Sequence, residues 1–169
     1  MTGLVYELCI APMLQSLGNL DAIVGKAETH VRKDEHLEPA TLIQGRLFPN
    51  MRPFVFQIQV ATDTAKGAAA RLAGTEIPVW PDDEETFNEV HQRIVKAIEY
   101  LSGFAPKDFE GADQRSIKLK LGSHEFQFTG AQYIQRFVLP NFYFHMVTAY
   151  NILRQGGVDV GKRDFLAGL

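Results

Sequence analysis

His145 is the side chain best placed to do chemistry. It lies in the apolar stretch Leu139–Leu153, with Asn141 four residues before it and Thr148 three residues after. On a helix that spacing puts all three on one face. An imidazole among apolar neighbours needs hydrogen-bond partners. It also titrates near neutral pH, so it can act as a base, a ligand or a structural pin. Asn50 and Gln57, two turns apart, could face it from another helix. Gln59 and Asp63, at i and i+4, occupy that helix's other flank. Two uses are open. One is a polar tie between core helices. The other is a small-molecule pocket with a few polar groups in apolar walls.

A metal centre needs more than His145. The other histidines are His30, His36, His91 and His124, with no H-x-x-x-H pair and no H-E-x-x-H. His145 is the only candidate ligand, and a site would require distant residues to converge on it. No cofactor is predicted. Cys9 is the single cysteine, which excludes an internal disulfide and a cysteine-based zinc cluster. It reads as a small buried hydrophobe. No G-x-S-x-G elbow occurs. Gly156–Lys162 matches G-x-x-x-x-G-K, but Arg163 follows where a P-loop requires Ser or Thr. The stretch also follows a helical pattern instead of a strand.

Composition narrows the partners. The 169 residues carry a net charge of -3, with 46% hydrophobic and 22% charged residues. These are globular proportions. The charge balance argues against a phosphate-backbone binder, so no nucleic-acid partner is expected. The N-terminus lacks the positively charged start of a secretory signal. The longest uncharged run, Phe137–Leu153, is short for a membrane span and contains Pro140, Asn141, His145, Thr148 and Asn151. A cytoplasmic protein with no membrane partner is the default.

Four long helices must position these groups, in one domain over residues 1–169. The first covers about Leu4–Arg32, with a kink or start near Pro12. The second runs from about Asn50 to Leu72 and ends at Gly74. The third starts at Asp82 or Asp83, continues to Leu101 and closes at Gly103. The fourth spans about Gly130–Gln155, with Thr129 as cap and a kink at Pro140. Apolar residues recur at threes and fours in each. Between the third and fourth, Ile117–Leu121 alternates, and Gly122-Ser123 then leads into Glu125–Phe128, predicting a β-hairpin. The fold class is therefore all-α, a four-helix bundle with a small β-hairpin insertion before the last helix. A second stripe on the last helix, Tyr143, Met146, Tyr150 and Leu153, needs cover from the hairpin, the tail or another subunit. Its aromatic and methionine content favours a homodimer interface. Phe165 in the tail is placed to dock on the bundle.

Several segments now carry a resemblance. They are Phe48–Pro53, Gln57-Ile58-Gln59, Ala68–Gly74, Phe87–Arg93, Leu139–His145, Ala149–Arg154 and Gly161–Phe165. Together they resemble a bacterial family of unknown function in the DinB/YfiT-like superfamily, over nearly the whole chain. The resemblance implies a four-helix bundle, often dimeric. It also implies, for many members, a divalent metal held by one His on the second helix and an H-x-x-x-H pair on the last. Members with known chemistry include hydrolase and thiol-transfer types. Here Asn141 precedes His145 by four and Ala149 follows by four, so the pair is broken. The second helix has no His; Asn50 or Gln57 stands where one would be sought. Neutral amides are poor substitutes for imidazole. The expectation is a metal-free DinB-like protein that binds an unknown small molecule or serves as a structural dimer. The alternative is a metal-dependent enzyme with a degenerate His site.

Overall fold

The apolar stripes close on one another as helices α1 (Ala11–Lys33), α2 (Pro39–Ile43), α3 (Phe54–Ala73) and α4 (Phe87–Ser102). Strands β1 (Ser116–Leu121) and β2 (His124–Thr129) follow, then α5 (Gly130–Tyr133), α6 (Leu139–Gln155) and α7 (Lys162–Phe165). This is a computed structural model, and it describes residues 3–167. The last two residues of the tail lie outside the described residues. Helix α3 packs against α6 on one side and α4 on the other, and α1 closes the bundle against α4 and α6. The central position of α3 explains its composition: Ala61, Ala65, Ala68 and Ala69 are fully buried, and small side chains let two helices approach at once. Met13, Leu17, Ile58, Ile94, Phe142 and Ala149 meet in the core.

Two prolines shape the longest helical stretches. Pro12 and Pro140 have no amide hydrogen to return to the carbonyls behind them. Each is preceded by a five-residue π-helical segment, Tyr6–Ile10 before α1 and Ile134–Val138 before α6. There the Ala11 amide donates to the Tyr6 carbonyl, and the Leu139 amide to the Ile134 carbonyl, five residues back in place of four. A π-helical turn thus stands just before each of the two prolines, and α1 starts at Ala11, beside Pro12.

Two helices start later than their sequence patterns suggest. Helix α3 begins at Phe54 because Pro53 holds an extended conformation as its N-cap. Asn50 is therefore exposed in the preceding turn and is not on a helix flank. Helix α4 begins at Phe87, capped by Thr86 in a reciprocal capping box with Glu89. Asp82 and Asp83 lie before it, outside any helix. Thr129 does cap α5, as expected, and Gly74 ends α3 with φ 76°.

The hairpin is antiparallel, pairing Ile117 with Phe128 and Leu119 with Phe126. Gly122 has φ 58°, the conformation a type II′ hairpin turn requires at its first central residue. Tyr133, fully buried beyond the second strand, accepts a hydrogen bond from Arg71 of α3 at 3.2 Å.

The tail reaches the second stripe of α6 at Tyr150, whose hydroxyl donates to the Val160 carbonyl. Met146 and Leu153 are buried within the protomer, and Phe165 packs edge-on against Tyr150 at 5.8 Å. Lys26 of α1 pairs with Asp164 at 2.6 Å and pins the tail. Tyr143 and Tyr150 are themselves partly buried. Met146 and Leu153 are thus spent inside the chain. The exposed apolar residues of α6 are instead Phe144 and Val147. The P-loop-like stretch has no cradle: the Gly161 amide donates to Asp164 at 2.7 Å, so its own carboxylate occupies that donor. Tyr6–Lys33 is, by length and composition alone, long and apolar enough to cross a membrane. Its apolar face here packs on the other helices.

Candidate functional site

Helices α3 and α6 run antiparallel, and two polar pairs bridge them. Gln57 meets His145, with 2.8 Å between Oε1 and Nδ1. On the same interface the Asn141 amide donates to Thr64 Oγ1 at 2.8 Å, and Thr64 donates to the Val60 carbonyl. Thr148 donates to the Phe144 carbonyl of its own helix and is buried. Gln57 and His145 are therefore brought together, and Asn141 is brought to Thr64 instead. Asn50 has no part in these bonds. Gln59 bonds to Glu84 in the loop before α4, and Asp63 pairs with Arg93 of α4.

The Gln57 network fixes the state of His145. The Gln57 side-chain amide donates to the Arg52 carbonyl at 2.9 Å. Its Oε1 is thus the acceptor presented to the ring, and Nδ1 must carry the hydrogen. Partial burial holds the imidazole below its ordinary pKa of 6.5, because a charged ring is poorly solvated there. A neutral ring protonated at Nδ1 leaves a lone pair on Nε2. Phe56 and Phe144 flank the ring edge-on at 6.3 and 5.1 Å between centroids.

That arrangement does not supply a metal centre. Among the described residues, no three His, Cys, Asp or Glu side chains converge. Gln57 and Asn141, the amides nearest the expected ligand positions, are committed to Arg52, His145 and Thr64. Cys9 offers no nucleophile, since burial pushes its thiol up to about 12.

A larger charged network lies on the other side of α3. Arg93 of α4 is 4% exposed, yet it sits on the core face between Val90 and Ile94. It donates to Thr62 Oγ1 at 2.9 Å, the Pro81 carbonyl at 2.7 Å and Glu84 at 2.8 Å. Asp63 and Asp82 accept at 3.0 and 2.9 Å. Gln59 donates to the second Glu84 oxygen. The Lys66 and Lys96 ammonium groups lie 4.3 and 4.9 Å from the centre of the Trp80 ring. The network ties the extended loop at Trp80–Glu84 to α3 and α4. With its N–H groups occupied, Arg93 is a clamp and not an anion receptor. Sequence reading missed this cluster. The signal was an arginine at a core position of an apolar stripe, downstream of four consecutive acids that begin no helix.

An apolar concavity lies at the π-helical end. A groove of about 420 Å³ is walled by Leu4, Val5 and Leu8 on one side and by Ala131, Ile134 and Leu139 on the other. Asp113 and Gln135 are its polar lining residues. Leu8 is 60% exposed. His145, Asn141, Gln57 and Thr148 are not among the residues lining this groove.

Similarity to known proteins agrees with this fold. A DinB family member protein from Shewanella denitrificans, known from a crystal structure, is 35% identical, with a TM-score of 0.90. The match covers 99% of this chain and 94% of that one. No curated protein matches. The family model described as a domain of unknown function, DUF1993, matches residues 5–166. On this family match and this fold, the chain belongs to the DUF1993 family, within the DinB-like superfamily.

Proposed function

We propose that this protein is a metal-free binding protein for an apolar small molecule, acting in the cytoplasm, and that its site is the groove between the two π-helical segments. The groove itself carries the reading: about 420 Å³ of space, apolar walls from two chain segments and only two polar lining residues. Small-molecule sites have that character, and π-helical irregularities recur at functional positions. His145 is reassigned to the tie between α3 and α6, because its Nδ1 is held by Gln57. The test is a methyl NMR titration with n-octanol, an uncharged probe. Shifts confined to Leu4, Val5, Leu8, Ala131, Ile134 and Leu139, and lost in Leu8→Ser, are expected. Leu8 is mostly exposed, so that variant keeps the fold. No shifts up to the probe's solubility would overturn the reading.

A homodimer is the second reading, favoured by the exposure of Phe144 and Val147 on α6, at 57% and 42%. Sedimentation of Val147→Glu against the parent tests it. A dimer that becomes a monomer supports the interface, and a monomeric parent removes it.

A further inference from the structure

We infer that the groove selects a primary alkylammonium ligand, a cationic head on an aliphatic chain; this rests on the groove being the binding site. The charge of its lining points to a cation. Asp113 is the one charged residue lining the groove, and no lysine, arginine or histidine lines it. The Asp113 side chain is exposed, and among the described residues its partner is the side-chain amide of its neighbour Gln114 at 3.0 Å. Its carboxylate keeps acceptor capacity for an incoming N–H.

An ammonium has three donors and no acceptor, so it suits a groove whose one charged lining residue is a carboxylate. A carboxylate head would face Asp113 with like charge and find no cation among the lining residues. An alcohol would supply only one donor. The aliphatic chain would lie along Leu4, Leu8, Ile134 and Leu139, where burial of CH₂ groups favours it.

The experiment titrates the full chain with n-octylammonium, n-octanol and n-octanoate at pH 7, read by methyl NMR and calorimetry. Octylammonium should bind about tenfold more tightly than octanoate, the ratio expected of one charge-assisted contact. Asp113→Asn should remove most of that preference and leave octanol binding unchanged. Leu8→Ser should weaken all three ligands. Equal binding of the three, with shifts at the groove methyls, would overturn the ammonium preference and leave the groove as the site. Tighter octanoate binding would overturn it too. No groove shifts with any of the three would overturn the site itself, and the ligand class with it.

Discussion

Replacing Gln57 with methionine tests whether the amide sets the state of His145. Methionine keeps the length of the side chain and removes both hydrogen bonds. Gln57 is 2% exposed, so water has little access to its place. The losses are the bond to the Arg52 carbonyl at 2.9 Å and the bond from His145 at 2.8 Å. A buried polar group left unpaired costs about 1–3 kcal/mol. His145 is only partly buried and recovers some of that from water. The net expectation is a destabilisation of about 2 kcal/mol in Gln57→Met, or about 4–8 °C in Tm for a chain of this size. Urea denaturation with an unchanged m-value gives the free energy directly. Nitrogen NMR of His145 supplies the second readout. The parent should show a neutral ring protonated at Nδ1, and Gln57→Met a mixture of the two tautomers. Gln57→Glu should raise the His145 pKa, because a carboxylate at Nδ1 favours the charged ring. A parent ring protonated at Nε2 would refute the reasoning, since Gln57 would then be turned the other way.

Further outcomes follow from the same structure. His145 titrates below 6.5 in the folded chain. As pH falls through 6.5, the unfolded chain takes up a proton that the folded chain does not, so stability is lost until the folded pKa is passed. Denaturation curves at stepped pH should show that loss, and His145→Gln should remove its contribution. A parent and variant with parallel curves would contradict it. Arg93→Met should cost about 3 kcal/mol, at the low end for a broken buried pair. Asp63 and Asp82 are 40% and 57% exposed and recover solvent, whereas Glu84 is 9% exposed. A cost below about 1 kcal/mol would fit a surface pair and not a clamp. Cys9 should resist iodoacetamide at pH 8 in the native chain and react on unfolding. Rapid native labelling would contradict its burial.

The bundle was legible because its signals are periodic. The apolar stripes, the hairpin alternation, Thr129 and Gly74 are local features that local structure obeys. The misplaced helix starts were set by groups further along the chain: Pro53 is the N-cap of α3, after Asn50, and Thr86 with Glu89 caps α4, after Asp82 and Asp83. The Gln57–His145 contact could be guessed from helix faces but not selected, since Gln59 and Asp63 were equally placed until α4 supplied Arg93. The stripe through Tyr143, Met146, Tyr150 and Leu153 signalled burial correctly. Periodicity marks a covered face without saying what covers it, and here the tail covers Tyr150.

Metal binding is where resemblance and side chains part. Three ligands must present lone pairs to one point, with their remaining groups satisfied behind them. Around His145 the available groups are turned elsewhere. Gln57 uses its oxygen on the ring and its nitrogen on Arg52, while Asn141 uses its nitrogen on Thr64. His30, His36, His91 and His124 join no group of three His, Cys, Asp or Glu among the described residues. The Nε2 lone pair of His145 alone is a weak site. Zinc, nickel or iron offered at equimolar concentration should therefore remain in the filtrate after buffer exchange, for the parent and for His145→Ala alike. Elemental mass spectrometry measures this. About one metal per chain in the parent, lost in His145→Ala with the fold intact, would show that the hydrogen bonds of Gln57 and Asn141 yield to a metal, and the enzyme reading would return.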